Sequence, residues 1–289
     1  MCICAAPGNF SSTKVYAGEG TFDSKYVHVI AYQNNAESQN EYEPNAMILP
    51  FPTNVPMNRA NVINTKSFSG FLQDITDASK IQTRLLRSGG FEAACAAGGV
   101  DVFENGSYTV ILADNIKLVP GAMSSVSEDK RIALSYRFMM GFNKLYANQP
   151  VAVCLWKGSV VAEPLLWWYE PKDKATLFVP TMDAHDGNGP DLEANVRTDH
   201  IVSVGSNLLE DSRRYNRVHY TDKLTSVAQQ LLPLHVYGHK LPSVMKNGDM
   251  FVKVADLQAK GDSFHAPLIK RGVSWDTSHS DDKMSGWYA

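Results

Sequence analysis

The pattern of apolar and polar positions along the chain is dominated by short runs. The densest of them opens a segment, 165–204, around which the rest can be ordered. Leu165, Leu166, Trp167, Trp168 and Tyr169 form an unbroken apolar run, which reads as a strand covered on both faces. Glu170-Pro171-Lys172-Asp173-Lys174 has turn chemistry, and 175–179 is apolar again, so the two runs predict a hairpin that Pro180 terminates. Similar strand signals occupy 26–33, 45–53, 200–204 and 249–254, the last entered through Asn247-Gly248. Pro50 and Pro52 suggest that the second of these leaves at a sheet edge. Asn105-Gly106 joins 101–104 to 107–112, and Lys157-Gly158 joins 151–156 to 159–162, each predicting a tight hairpin.

Two segments carry helical periodicity instead. In 67–87, Phe68, Phe71, Leu72, Ile75, Ala78 and Leu85 recur at intervals of three and four, and Gly89-Gly90 stops the pattern. Ser125 and Glu128 fit a capping box that opens a helix to about 147. Ile132, Leu134, Phe138, Met139, Met140, Phe142 and Leu145 give that helix an apolar surface around most of its circumference. It is therefore expected to be enclosed by the chain or to meet a second copy. A short helix carries Leu224, Val227, Ala228, Leu231 and Leu232, with Thr221 or Asp222 as cap and Pro233 as its end. The expected fold is α+β: a largely antiparallel sheet built of hairpins, covered by two long helices and one short helix. Residues 1–273 are expected to form one domain, and the polar, aromatic segment 274–289 an arm that docks on the body or on a neighbouring subunit.

Composition narrows the function classes. At 289 residues, with 44% hydrophobic and 20% charged side chains, the chain can bury a full core without disulfide staples. A net charge of −3 argues against nonspecific nucleic-acid binding, which needs a basic footprint. No apolar run reaches membrane-spanning length, and the start MCICAAPGNF lacks the basic and apolar regions of a signal peptide. Four scattered cysteines do not make a disulfide framework, so the cytoplasm is the expected setting.

The candidate chemistry lies mainly in the loop after Pro180. Asp183, His185, Asp186 and Asp191 crowd a segment holding Gly187 and Gly189, and Asp199 and His200 open the following strand. Such a set could hold a divalent metal of unassigned identity, or serve as a carboxylate–histidine pair. The spacing fits neither an EF-hand loop nor the paired histidines of familiar zinc hydrolases. An Asx-rich turn, with carboxylates capping backbone amides, accounts for the same residues without a ligand. A second candidate is Cys2: after loss of Met1 its α-amine could serve its own thiol, as in N-terminal-nucleophile hydrolases, although no Arg-Asn-x-Asp-like companion follows. His235 and His239 read as extended chain, too far apart for one ion. Arg213, Arg214 and Arg217 read as a self-paired surface beside Glu210 and Asp211.

The cysteine-rich opening, the apolar strand ending in Gln33 and Asn34, and the run NAMILPFPT at 45–53 resemble a bacterial domain-of-unknown-function family over the first quarter of the chain. That resemblance implies no role for any residue. The sequence therefore yields two expectations. One is a hydrolase with a metal or carboxylate–histidine site at 183–200, using His185 and Asp186 or, in a lesser version, Cys2, on a small-molecule or peptide ligand. The other is a non-catalytic, self-associating binding or structural protein.

Overall fold

A computed structural model describes residues 3–80, 99–197, 200–207, 215–241, 244–258 and 269–272. Its strands are β1 (Ile3–Cys4), β2 (Gly8–Phe22), β3 (Lys25–Ser38), β4 (Pro44–Pro50), β5 (Val100–Asn105), β6 (Tyr108–Ala113), β7 (Val151–Lys157), β8 (Ser159–Val161) and β9 (Leu165–Tyr169). They continue with β10 (Thr176–Val179), β11 (Asn195–Arg197), β12 (Ile201–Ser206), β13 (Asn216–Arg217), β14 (His235–Lys240), β15 (Val244–Lys246), β16 (Asp249–Lys253) and β17 (Ile269–Gly272). The α-helices are α1 (Phe71–Lys80), α2 (Val119–Ala122), α3 (Tyr136–Leu145), α4 (Ser226–Leu231) and α5 (Val254–Gln258).

The expected α+β arrangement is not what forms. The structure is mostly strand, and among the described residues no pair of long helices covers a single sheet. A seven-stranded sheet, ordered β13-β14-β12-β2-β3-β8 with β9 also paired to β3, packs on a five-stranded sheet, ordered β1-β4-β7-β6-β5. One core fills the space between them: Val15, Ala17, Ile30, Tyr32 and Trp167 from the first sheet meet Met47, Val110, Cys154 and Trp156 from the second. The outer face of the seven-stranded sheet is covered by α1 and α4 through Phe71, Leu72, Ile75, Ala228 and Leu231. The outer face of the five-stranded sheet is covered by α3 through Phe138 and Phe142. Each sheet is thus buried on both faces, which is why its strands read as unbroken apolar runs.

Two smaller sheets complete the architecture, β10-β16-β17 and β11-β15. The longest pairing is the β2–β3 hairpin, turned at Asp23-Ser24, both with positive φ as a type I′ turn requires. β12 runs parallel to β2, so the larger sheet is mixed rather than antiparallel.

Two expected hairpins, and the turn expected at Asn247-Gly248, are corners instead. β7 pairs with β4 and β6, while β8, beyond Gly158, pairs with β3 in the other sheet. β9 pairs with β3, but β10 pairs with β16. β15 and β16 flank Asn247-Gly248 yet pair with β11 and β10 respectively. Only 101–112 closes as expected, and there the central turn residues are Gly106 and Ser107, since Asn105 pairs with Tyr108.

The helices also differ. Of the first expected helix, the described part is α1, preceded by a 3-10 turn at Lys66–Phe68, and 81–98 lie outside the described residues. The second is confined to α3, preceded by short 3-10 turns and by extended chain. The third is α4, capped by Thr225 rather than Thr221 or Asp222. The 274–289 arm lies outside the described residues. Among those described, no helix is long and apolar enough to cross a membrane.

Candidate functional site

The loop that follows Pro180 is held from beneath by the Asn247-Gly248-Asp249 corner. Asp249 is fully buried, and its Oδ1 accepts the amides of Thr181 and Met182, both at 2.9 Å. Its Oδ2 accepts the hydroxyl of Tyr146 at 2.6 Å. Asn247 works through both ends of its amide. Oδ1 accepts the Asp183 N–H at 2.9 Å, and Nδ2 donates to the carbonyls of Asp183 at 2.6 Å and Asp191 at 2.9 Å. A carboxylate and an amide in these places satisfy backbone groups that an irregular loop cannot pair with itself.

The N-terminal strand holds the loop from the side. The Cys4 amide donates to the Ala184 carbonyl at 2.8 Å, and the Gly8 amide to the His185 carbonyl at 3.1 Å. Gly187 (φ +74°) and Gly189 (φ +86°) both take left-handed conformations, and both touch neighbouring backbone. A Cβ on Gly187 would lie 2.9 Å from the Ala5 carbonyl oxygen. Two glycines are therefore required for the loop to lie against the N-terminal segment and the start of α3.

Within this frame, Asp183 and His185 come together. His185 Nε2 stands 2.6 Å from Asp183 Oδ1; the carboxylate is only 9% exposed and the imidazole 31%. The ring of Phe10 lies over the imidazole, with centroids 4.7 Å apart and planes tilted by 38°.

The other candidates behave differently. Asp186 accepts the backbone and side-chain N–H groups of Asn188 at 2.9 and 2.8 Å. Partial burial pushes its carboxyl up, but those hydrogen bonds and Arg137 outweigh it and hold the group below the usual carboxylate value. Asp191 caps the Glu193 amide at 2.9 Å. Both therefore behave as turn-forming residues. His200 is buried just before β12, its carbonyl accepting the Leu241 amide at 3.1 Å. Asp199 and Cys2 lie outside the described residues. Among those described, no group of three or more His, Cys, Asp or Glu side chains is placed to hold a metal ion. His235 and His239 sit on β14, as expected of extended chain.

Sequence reasoning missed a second cluster. His28 is 1% exposed, and Glu19 beside it is fully buried. Tyr26 Oη lies 2.6 Å from Glu19 Oε2 and 3.3 Å from His28 Nε2. Arg217, read as surface, is also buried. The available signal was the polar Glu19 between Gly18 and Gly20, but β2 as a whole lacks the β-branched density that marks a strand.

No protein-family model and no curated protein matches the chain. Among solved structures, the crystal structure of baculovirus P35 is similar over 92% of this chain and 98% of that one, with 13% sequence identity and a TM-score of 0.41. A likeness at that level carries no inference about chemistry.

Proposed function

We propose that the chain is a hydrolase in which Asp183 orients His185 and His185 acts as general base. The observation behind this reading is the 2.6 Å approach of a nearly buried carboxylate to a partly exposed imidazole. An ionised carboxylate only accepts, so at that distance it favours the tautomer with the proton on Nε2 and the basic lone pair on Nδ1. The imidazole then takes a proton from a water molecule as that water attacks an electrophilic carbonyl or phosphoryl centre, and Asp183 stabilises the resulting imidazolium. Phe10 limits rotation of the ring. This reading calls on no divalent metal, because Asp186 and Asp191 use their side-chain oxygens on local amides. The reading takes a reducing cytoplasm as the setting, in keeping with the buried free thiol of Cys154. Burial also pushes the Cys154 thiol well up, away from a nucleophilic role.

A second reading, a non-catalytic binding protein, is favoured by the bracing of the same loop by Asn247 and Asp249, which suits a rigid contact surface. One experiment separates the two. Hydrolysis of p-nitrophenyl acetate, p-nitrophenyl phosphate and a casein digest is compared for the wild type, Asp183→Asn and His185→Gln. A rate that falls about 10²–10⁴-fold in both variants at unchanged melting temperature supports the hydrolase. A wild type at background, or variants that retain its rate, overturns it in favour of binding.

A further inference from the structure

The seven-stranded sheet carries one rung that is polar throughout. Its registers set Tyr169 opposite His28, His28 opposite Glu19, Glu19 opposite Ser206, Ser206 opposite His235, and His235 opposite Arg217. Opposed residues share a face of the sheet, and all six are buried. A polar row inside a β-sandwich is costly unless each group is hydrogen-bonded, and among the described residues His28 Nδ1 and Tyr169 Oη on this rung have no hydrogen-bond partner.

Around His28 the groups are fully placed. Glu19 faces it from β2, Tyr26 from its own strand, and Tyr169 from β9, the two rings 5.8 Å apart and nearly perpendicular. From the turn between β9 and β10 come Asp173, whose charge is felt at the imidazole, and Lys174. The Lys174 carbonyl lies 3.1 Å from Tyr26 Oη and its ammonium 5.9 Å from the centre of the Tyr26 ring. Tyr26 has one proton, and two of its neighbours, the Glu19 carboxylate and the Lys174 carbonyl, can only accept. His28 Nε2 is within reach of the phenol, but Nδ1 has no hydrogen-bond partner among the described residues. A neutral imidazole tolerates this as an unpaired nitrogen. An imidazolium must donate from both nitrogens, and Nδ1–H would then be a charged donor facing no acceptor.

We propose that His28 is an acid-sensitive latch, in which proton uptake by its imidazole releases the 170–175 turn from the β2–β3 hairpin. The turn is fastened at that hairpin by Tyr26, Lys174 and the Lys25–Glu170 pair, so loss of order around His28 is transmitted to it directly. Burial pushes the His28 imidazole down to about 4, against the upward pull of Asp173 and the Lys174 backbone. In the released state the group returns to its ordinary value near 6.5 and binds more protons than in the latched state between those two values. The latch is therefore fully held above about pH 6.5 and is lost progressively as the pH falls towards 4. Over that window the opening equilibrium should rise on the order of 100-fold.

The test combines hydrogen exchange with NMR on the full chain. After correction for intrinsic exchange rates, protection of the Lys172 and Ala175 amides in the wild type should fall between pH 7 and pH 4.5. In His28→Gln it should stay flat over the same range. The His28 imidazole, followed by nitrogen-15 shifts, should titrate below pH 5. Titration near 6.5, or parallel loss of protection in wild type and variant, overturns the latch. Should His28→Gln fail to fold, the wild-type titration alone decides.

Discussion

Asp249 has no exposed surface, yet it accepts two backbone amides and a tyrosine hydroxyl. A buried carboxylate with several donors is stabilised by them, but each donor becomes costly once the carboxylate is removed. Burial, and then the Asp249 charge, raise the Tyr146 phenol well above its ordinary value, so Tyr146 stays protonated and keeps donating. Tyr146→Phe should cost about 1–3 kcal/mol, and Asp249→Ala more than about 3 kcal/mol, because two amides would then lie buried without an acceptor. Urea denaturation measures both. If Asp249→Ala proves no worse than Tyr146→Phe, the two amides do not depend on the carboxylate.

At the scale of the element, the segment 125–147 shows how a good local pattern can be overruled. Ser125 and Glu128 fit a capping box, but Ser127 precedes a short 3-10 turn and makes no side-chain cap bond. The Arg131 side chain donates from Nε to the Val126 carbonyl at 2.9 Å, folding 126–131 back on itself. The helix begins only at Ser135, whose Oγ accepts the Phe138 amide at 3.0 Å. Phe138 and Phe142 then face the five-stranded sheet with no exposure, while Tyr136 and Met140 face outwards at 81% and 54%. Phe138, Phe142 and Leu145 are thus covered by the same chain, while Met140 remains exposed. Changing Phe138 and Phe142 to Ser should lower stability by more than about 3 kcal/mol each, and the effect should appear as lost circular dichroism rather than as dissociation. An intact fold combined with a halved mass by light scattering would contradict this.

On the scale of the whole molecule, the N-terminal strand, the 183–189 loop and the Asn247-Asp249 corner support one another across long stretches of sequence. Removing residues 1–7 would strip Ile3 and Cys4 from the cores and leave the Ala184 carbonyl without its donor. The expected result is a loss of roughly 3 kcal/mol or more, with faster amide exchange at 182–186 before the rest of the five-stranded sheet opens. Unchanged exchange at 182–186 in the shortened chain would show that the corner alone holds the loop. The contrast between turns and corners belongs to this scale too. Gly158 has φ +68°, which suits a tight hairpin, yet β7 and β8 separate because β4 and β3 supply better partners in different sheets.

What the sequence determined by itself is the set of local commitments. Most strand segments were legible from their apolar runs, as were the buried face of α1, the 101–112 hairpin and the crowding of Asp183 and His185 in one loop, because each depends on neighbours a few residues away. Asp186 and Asp191 could be read equally as ligands or as caps, and their surroundings made them caps. β2 was not legible, since GNFSSTKVYAGEGTF has glycines and serines where strand formers are expected; its partners β3 and β12 make it a strand. The tertiary structure alone decided which strands pair, that the sheets form a sandwich with helices outside, and that Glu19, His28, Ser206, His235 and Arg217 share one buried rung. Pairing is a choice among distant partners, settled by the burial of whole faces, and no local pattern carries that information.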